Sequence, residues 1–422
     1  MKTIIRNGRI IDPANRRDEI GDLIIADGVI GSRAPEAEDQ VIDATGLVVA
    51  PGLIDIHVHL REPGFGWKET IESGARAAAA GGFTTIVGMP NTLPVADSPS
   101  TIAWIKDRAA EGACVNVLPT GAISKNLEGE ELAPIGSLVQ SGVVALTDDG
   151  HCVQNNELMR RAVEYARMVA VPVLDHCQDY NLVGNGLVHE GYWSTLLGLP
   201  GWPAAGEEAI VARNILLAEL CDHQIHCQHV STAGSVRLLR EARARGVKIS
   251  GEVCPHHLAL TDEAVQNFDT NYKMNPPLRT ASHVSALLAG IADGTLDVLA
   301  SDHAPHAKFE KEVEFDQAPF GILGLETELG LFLDLLVHKT KTIELPRLIE
   351  MFTVNPARLL QLQAGTLSPG ASADVTLIDP DLEWTYRVGE SKSLSCNTPF
   401  DGWKLKGRAV RTIVAGKTVW AL

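Results

Sequence analysis

The apolar positions of this chain change rhythm twice between its ends. Over residues 1–50 they come in short bursts: Ile4-Ile5, Ile10-Ile11, Leu23-Ile24-Ile25 and Leu47-Val48-Val49, interrupted by Asn7-Gly8 and Asp27-Gly28. Such dipeptides between apolar runs predict tight hairpins, because the favoured turn needs positive φ at its central positions. The same texture returns near the C-terminus, where Asp374–Ile378 and Ala409–Val414 run up to Ala415-Gly416. Matching β texture at both ends predicts one small β-sandwich domain built from both termini, with 1–50 and 365–422 as its two parts.

Between them, over 51–364, short apolar runs alternate with helical stretches. Candidate strands are 53–59, 84–90, 115–123, 143–149, 172–178, 224–231, 248–254 and 297–303. Runs such as Thr84-Thr85-Ile86-Val87 are continuous rather than alternating, as expected for strands buried on both faces. Helices are expected over 157–170, 207–220 and 235–245, among others. Eight β-then-α units in about 250 residues predict an α/β fold of the (β/α)8 TIM-barrel type. A doubly wound sheet is the alternative. The strand count and the polar residues gathered at the strand ends favour the barrel.

Those strand ends carry the chemistry. The first closes on Asp55-Ile56-His57-Val58-His59-Leu60-Arg61, and in a strand of period two His57 and His59 share a face. An isolated His-x-His pair is weak evidence of a metal. This one ends an apolar run and stops at Arg61-Glu62-Pro63-Gly64, a turn at the mouth of a barrel. Further on come Thr147-Asp148-Asp149-Gly150, Asp175-His176-Cys177, His226-Cys227-Gln228-His229, and Ser301-Asp302-His303. In a barrel these ends converge. Imidazoles and carboxylates collected there suit Zn²⁺, which accepts N and O ligands. Four histidines and two aspartates suffice for two ions if one carboxylate bridges. Two ions about 3.5–4 Å apart can share a hydroxide and polarise a carbonyl.

Charge and composition narrow the classes. Of 422 residues, 36 are Lys or Arg and 53 are Asp or Glu, a net charge of -17, which argues against a nucleic-acid partner. No run approaches the ~20 apolar residues of a membrane span. The N-terminus shows no signal-peptide pattern. Seven cysteines without a CxxC pair read as free thiols in a reducing compartment, so a cytoplasmic protein is expected.

The ordered words between residues 55 and 327 resemble the class I dihydroorotases of the amidohydrolase superfamily. They are the His57/His59 segment, Met89-Pro90-Asn91-Thr92, Thr147–Gly150, His229-Val230-Ser231-Thr232, Glu252–Leu258, Lys273–Arg279 and Ser301–His306. The resemblance implies reversible cyclisation of N-carbamoyl-L-aspartate to L-dihydroorotate in pyrimidine biosynthesis. It implies two Zn²⁺ bridged by Asp149 and hydroxide, with His57, His59 and Asp302 on one ion and His176 and His229 on the other. Asp302 would also be the proton shuttle. Arg61, Asn91, Asn275 and His306 would hold substrate, and Pro319 and Gly321 would offer backbone contacts. The loop over 306–324 would cover the mouth. A homodimer and a complex with aspartate transcarbamoylase are the partners it implies.

Two other readings stand beside it. A hydantoinase or allantoinase would bridge its metals with a carboxylated lysine; the fourth strand end has none, and Lys125 is the nearest rival. A non-catalytic assembly partner of aspartate transcarbamoylase would have lost metal ligands. Asp148 is expected in a turn or behind the ligands. His226, His256, His257 and His303 are expected to pack or hydrogen-bond rather than ligate, and Cys177 to be a buried thiol.

Overall fold

The computed structural model describes residues 2–31 and 40–422. The 32–39 part of the N-terminal segment lies outside the described residues. The terminal β unit is a single eight-stranded sheet. Its strands are Lys2–Asp12, Arg17–Ala26, Val29–Gly31, Gln40–Asp43, Val48–Pro51, Val375–Thr385, Lys404–Val414 and Lys417–Ala421. The two termini meet where Val48–Pro51 pairs antiparallel with Val375–Ile378. Ile5, Ile10, Leu23, Ile25, Val49, Val375, Leu377 and Ile413 form its apolar core.

Asp27-Gly28 and Ala415-Gly416 make the expected hairpin turns, with φ of 52°, 81°, 45° and 78° in that order. Asn7-Gly8 does not. It is a bulge inside Lys2–Asp12, where the register with the next strand shifts between Ile5 and Gly8. The glycine serves close packing there, since a Cβ would stand 2.4 Å from Val49 Cγ2.

The barrel strands are Leu53–Val58, Phe83–Gly88, Asn116–Pro119, Val173–Asp175, Ile225–Cys227, Ile249–Val253 and Val298–Leu299. The fourth position is filled by Leu146 alone, bridging Gly121 on one side and Val173 on the other. A regular strand over 143–149 was the expectation. Its neighbour explains the difference: the third strand ends at Pro119, which has no N–H to offer a ladder. Val144 N–H still donates to the Pro119 carbonyl at 3.1 Å. The ring closes where Val58 bridges His303, with His59 N–H donating to the His303 carbonyl at 2.9 Å. All pairings around the ring are parallel.

The sixth and eighth strands are shorter than the apolar runs predicted. Pairing as regular strands stops at Cys227 and Leu299, and the chain turns to positive φ just beyond, at His229 (32°) and at Asp302 (48°). Ile54, Ile56, Val87, Ala145, Leu174 and Val298 fill the barrel interior, with Ala357 and Leu360 packed against them. The barrel is therefore a plugged core, and room for a ligand lies at the C-terminal mouth. Helices Asn156–Met168, Ala205–Cys221 and Ala233–Ala244 pack outside. Asn155 and Thr232 cap the first and third of these through their side chains. Among the described residues no helix is long and apolar enough to cross a membrane, and all seven cysteines are free thiols.

Candidate active site

The first strand is locked to the eighth by a buried carboxylate. Asp55 accepts from His57 N–H at 3.0 Å, from Ser301 N–H at 3.2 Å and from the Ser301 hydroxyl. The register with the second strand shifts between Asp55 and Val58, so these bonds replace ladder bonds just where the two histidines begin. Local irregularity of this kind re-aims side chains. Both imidazoles reach the mouth: His57 Nε2 lies 3.2 Å from Asp149 Oδ1 and 3.5 Å from Asp302 Oδ1. His59 Nε2 lies 3.2 Å from Asp149 Oδ2 and 3.2 Å from Asp302 Oδ1.

On the other side of Asp149 stand His176, whose Nδ1 is 3.5 Å from Oδ1, and His229, whose Nε2 is 3.7 Å away. Two compact buried donor groups result, His57/His59/Asp149 and Asp149/His176/His229, sharing one aspartate. Burial alone would raise the Asp149 carboxyl, but His57, His176 and His229 hold it well below the ordinary range. Asp302 is likewise held down by His57 and His59 against its burial.

The outward nitrogens test whether this arrangement fits cations. His57 Nδ1 donates to Glu252 Oε1 at 2.6 Å, His59 Nδ1 to Asn91 Oδ1 at 2.9 Å, and His176 Nε2 to Gln178 Oε1 at 2.9 Å. Each outward N–H is taken by an oxygen, which leaves the inward nitrogen of each ring to hold a proton against Asp149 or, in its place, a metal ion. His176 Nδ1 then faces His229 Nε2 at only 2.7 Å, and Asp149 Oδ1 is buried without a hydrogen-bond donor. The carboxylate at the centre is offset either by protons on His57, His59 and His176, whose affinity for them Asp149 raises against their burial, or by a cation that replaces those protons. The donor set of imidazole nitrogen and carboxylate oxygen fits a divalent ion of borderline softness.

Glu252 is the residue that reasoning from the chain missed. Fully buried in Ile249–Val253, it receives His57 on one oxygen and His226 Nε2 on the other at 2.9 Å. His226 Nδ1 in turn meets Ser250 Oγ at 2.8 Å. Together the two imidazoles pull Glu252 down to about 2 despite its burial. A lone carboxylate in an otherwise uncharged strand is the signal the sequence offers. Glu252→Gln leaves only one oxygen to accept from two imidazoles. A 10–100-fold loss of metal affinity is expected, by competition with a chelator of known strength, as for other residues that orient ligands. Unchanged affinity would mean that Glu252 does not orient His57.

The cluster opens on a cavity of about 300 Å³. Arg61, Asn91, Asn275 and His306 line it, as do Pro319, Phe320 and Gly321 from the segment after the eighth strand. Arg61 sits at φ 62°, its Nε donating to the Pro305 carbonyl at 3.1 Å. Burial lowers its guanidinium to about 10, still charged at neutral pH. With Arg61, His229 and Asp302 all at positive φ, backbone strain of about 1–3 kcal/mol each gathers at this mouth. Asn275 Nδ2 donates to Gln178 Oε1 at 3.1 Å, and its buried Oδ1 has no partner. His306 Nε2 donates to the Phe320 carbonyl at 2.8 Å. Burial beside Arg61 pushes its imidazole down to about 2, so it is neutral.

The remaining polar candidates sit elsewhere. Asp148 accepts from Ile123 N–H at 2.7 Å, Ser124 N–H at 3.0 Å and the Ser124 hydroxyl, pinning that loop; burial raises it to about 6. His303 meets Glu69 at 3.3 Å, and His257 donates to the Pro276 carbonyl at 2.9 Å. His256, His257 and Cys254 form a further buried donor group that does not line the cavity. Lys125 pairs with Glu131 at 2.5 Å on the surface. Asn397, from the C-terminal segment, also reaches the mouth, accepting from His306 N–H at 3.0 Å and donating to the Gly321 carbonyl at 3.1 Å.

The chain is similar to known proteins along its length. Residues 46–235 match the dihydro-orotase-like family, and 205–419 match the amidohydrolase family. A dihydroorotase of Pelotomaculum thermopropionicum is 53% identical over 99% of this chain and 98% of its own length. One of Citrifermentans bemidjiense is 50% identical over the full length of both. Among solved structures, the L-hydantoinase of Arthrobacter aurescens superposes with a TM-score of 0.89 at 25% identity, covering 100% of this chain and 97% of that one. The dihydropyrimidinase of Brevibacillus agri gives 0.88 at 26%, covering 100% and 95%.

Proposed function

The chain belongs to the dihydroorotase-like amidohydrolases, and from that premise we propose that it interconverts L-dihydroorotate and N-carbamoyl-L-aspartate. One observation carries the reading: two histidine–aspartate groups joined by Asp149 open onto the same small cavity as a half-buried, charged Arg61. A cyclic amide that bears a carboxylate needs both.

His57, His59, Asp149 and Asp302 would hold one Zn²⁺, and Asp149, His176 and His229 a second. Bound there, the metal supplies Lewis acidity and a nucleophilic water at neutral pH. The chain's own residues do the rest. Arg61 presents a planar fork that pairs with the substrate carboxylate through two parallel bonds. Asn275 lines the cavity, and its Oδ1 is an acceptor left without a donor. Asn91 Oδ1 is already occupied by His59, so Asn91 reaches substrate through its Nδ2. His306 binds substrate through Nε2 only by exchanging its bond to Phe320.

Asp302 is the proton carrier. Its Oδ1 lies 3.2 Å from His59 Nε2, it lines the cavity, and the imidazoles keep it ionised. In the ring-opening direction it takes a proton from the attacking water and delivers it to the departing ring nitrogen. Ring closure runs the same transfer backwards.

The hydantoinases among the structural neighbours favour a test with two substrates. L-Dihydroorotate carries a carboxylate and hydantoin does not. Turnover of the first far above the second is expected, and the reverse order would overturn the assignment. Arg61→Lys replaces a fork by a point charge. KM for L-dihydroorotate is expected to rise roughly 10–100-fold, the worth of about 1.5–3 kcal/mol for a bond to a charged group. An unchanged KM would place the carboxylate elsewhere. Running the assay with and without aspartate transcarbamoylase decides whether the activity needs that partner.

A further inference from the structure

The segment that closes one side of the cavity is held from behind by two lysines. Lys273 is 2% exposed and Lys311 6% exposed. Lys273 Nζ donates to the carbonyls of Phe315 at 2.7 Å and Asp316 at 3.0 Å, and lies 4.8 Å from the centre of the Phe320 ring. Lys311 Nζ donates to the carbonyls of Pro319 at 2.8 Å and Gly321 at 3.1 Å. Gly321 N–H closes the arrangement by donating to the Lys273 carbonyl at 2.9 Å.

Lysine is almost never buried this fully unless it is paired. Here four backbone oxygens of one short segment take the place of a carboxylate. Burial lowers Lys273 to about 8 and Lys311, which also feels the charge of Lys273, to about 7. Each nitrogen faces two carbonyl acceptors, which an ammonium binds through charge-assisted hydrogen bonds and a neutral amine reaches with its two N–H groups less strongly.

We propose that Lys273 and Lys311 are positioning residues for substrate, fixing the 315–321 backbone as a preformed wall of the reaction cavity and setting His306 beside Arg61. The link runs through residue 320. Its side chain lies against Lys273, its flanking carbonyls are held by Lys311, and its own carbonyl holds His306 Nε2, 3.5 Å from Arg61 Nη2. Without the lysines, substrate would have to order this wall as it binds, and a site that must be ordered by its ligand binds it more weakly. The proposal rests on the dihydroorotase reading above.

Lys311→Met and Lys273→Met keep chain length and apolar volume while removing the donors. With L-dihydroorotate, each is expected to raise KM about tenfold or more, the loss of roughly one charge-assisted hydrogen bond. Metal content should be unchanged, and kcat should stay within about threefold, as when binding common to ground and transition states is removed. The double variant should lose less than the product of the two, since both act on one segment. A purely structural role would shrink the active fraction instead, lowering kcat with KM unchanged. That result, or an unchanged KM in both single variants, overturns the proposal. If Lys311→Met does not accumulate folded, Lys273→Met removes different bonds to the same segment and decides alone. The unsubstituted chain separates the two levels of argument. If it leaves L-dihydroorotate untouched both with and without aspartate transcarbamoylase, the reaction assignment and this proposal fall together. If it turns L-dihydroorotate over while KM holds in the variants, only the lysine pair is refuted.

Discussion

Asp302→Asn is expected to lower turnover of L-dihydroorotate by roughly 10²–10⁴, the range for losing a positioned general acid–base group. The amide retains an oxygen at the position that now lies 3.2 Å from His59 Nε2, so the histidine cluster keeps its shape. It cannot accept a proton and return it. The loss should therefore fall on kcat, with metal content held near that of the unsubstituted chain. The same variant should be slow in both directions, because one group serves ring opening and ring closure. Near-normal turnover with metal in place would remove Asp302 from the proton path.

Asp149→Asn should have the larger consequence, because it acts on both halves of the cluster at once. Asp149 is the member common to the two donor groups, with His57, His59, His176 and His229 all within 3.7 Å of its oxygens. Replacing its charge by an amide leaves four buried imidazoles without the carboxylate that offsets whatever cation they hold. Metal content should drop for both positions together, and activity should fall beyond the ~10²–10⁴ of an acid–base loss. Loss of a single equivalent, with the other retained at full occupancy, would show that Asp149 does not bridge. The neighbouring Asp148 supplies the contrast. Its oxygens hold Ile123 and Ser124, so Asp148→Asn should act on stability and leave metal content alone.

The parts of this arrangement that could be read from the chain share a physical cause. His57, His59, Asp149, His176, His229 and Asp302 each close a short apolar run, and such runs in a barrel all end at one mouth. The structure gathers these residues around a single cavity or directly behind it. What escaped reading is what periodicity does not encode. Glu252 looked like one more letter in a family word, because the bond from His57 joins residues 195 positions apart. Gln178 orients His176 from only two positions away, but a lone glutamine carries no pattern. The apolar content of 143–149 predicts a full fourth strand, whereas hydrogen bonding leaves one bridging residue, Leu146, between Gly121 and Val173 just past Pro119. Asn7-Gly8 has the composition of a hairpin and makes a bulge, because the close approach of Val49 selects the glycine there. At Glu252, in the fourth strand and at Asn7-Gly8 the deciding contact is distant in sequence; at Gln178 it is near but carries no pattern.

The measurement that bears most directly on the central claim is ring opening of L-dihydroorotate by the purified chain alone, before chelation, after it, and after restoring zinc. The account predicts turnover that disappears when metal is stripped and returns as zinc is added, with full activity reached near two equivalents per chain. Undiminished turnover by metal-free protein, or no turnover by the zinc-loaded chain even with aspartate transcarbamoylase added, would contradict it.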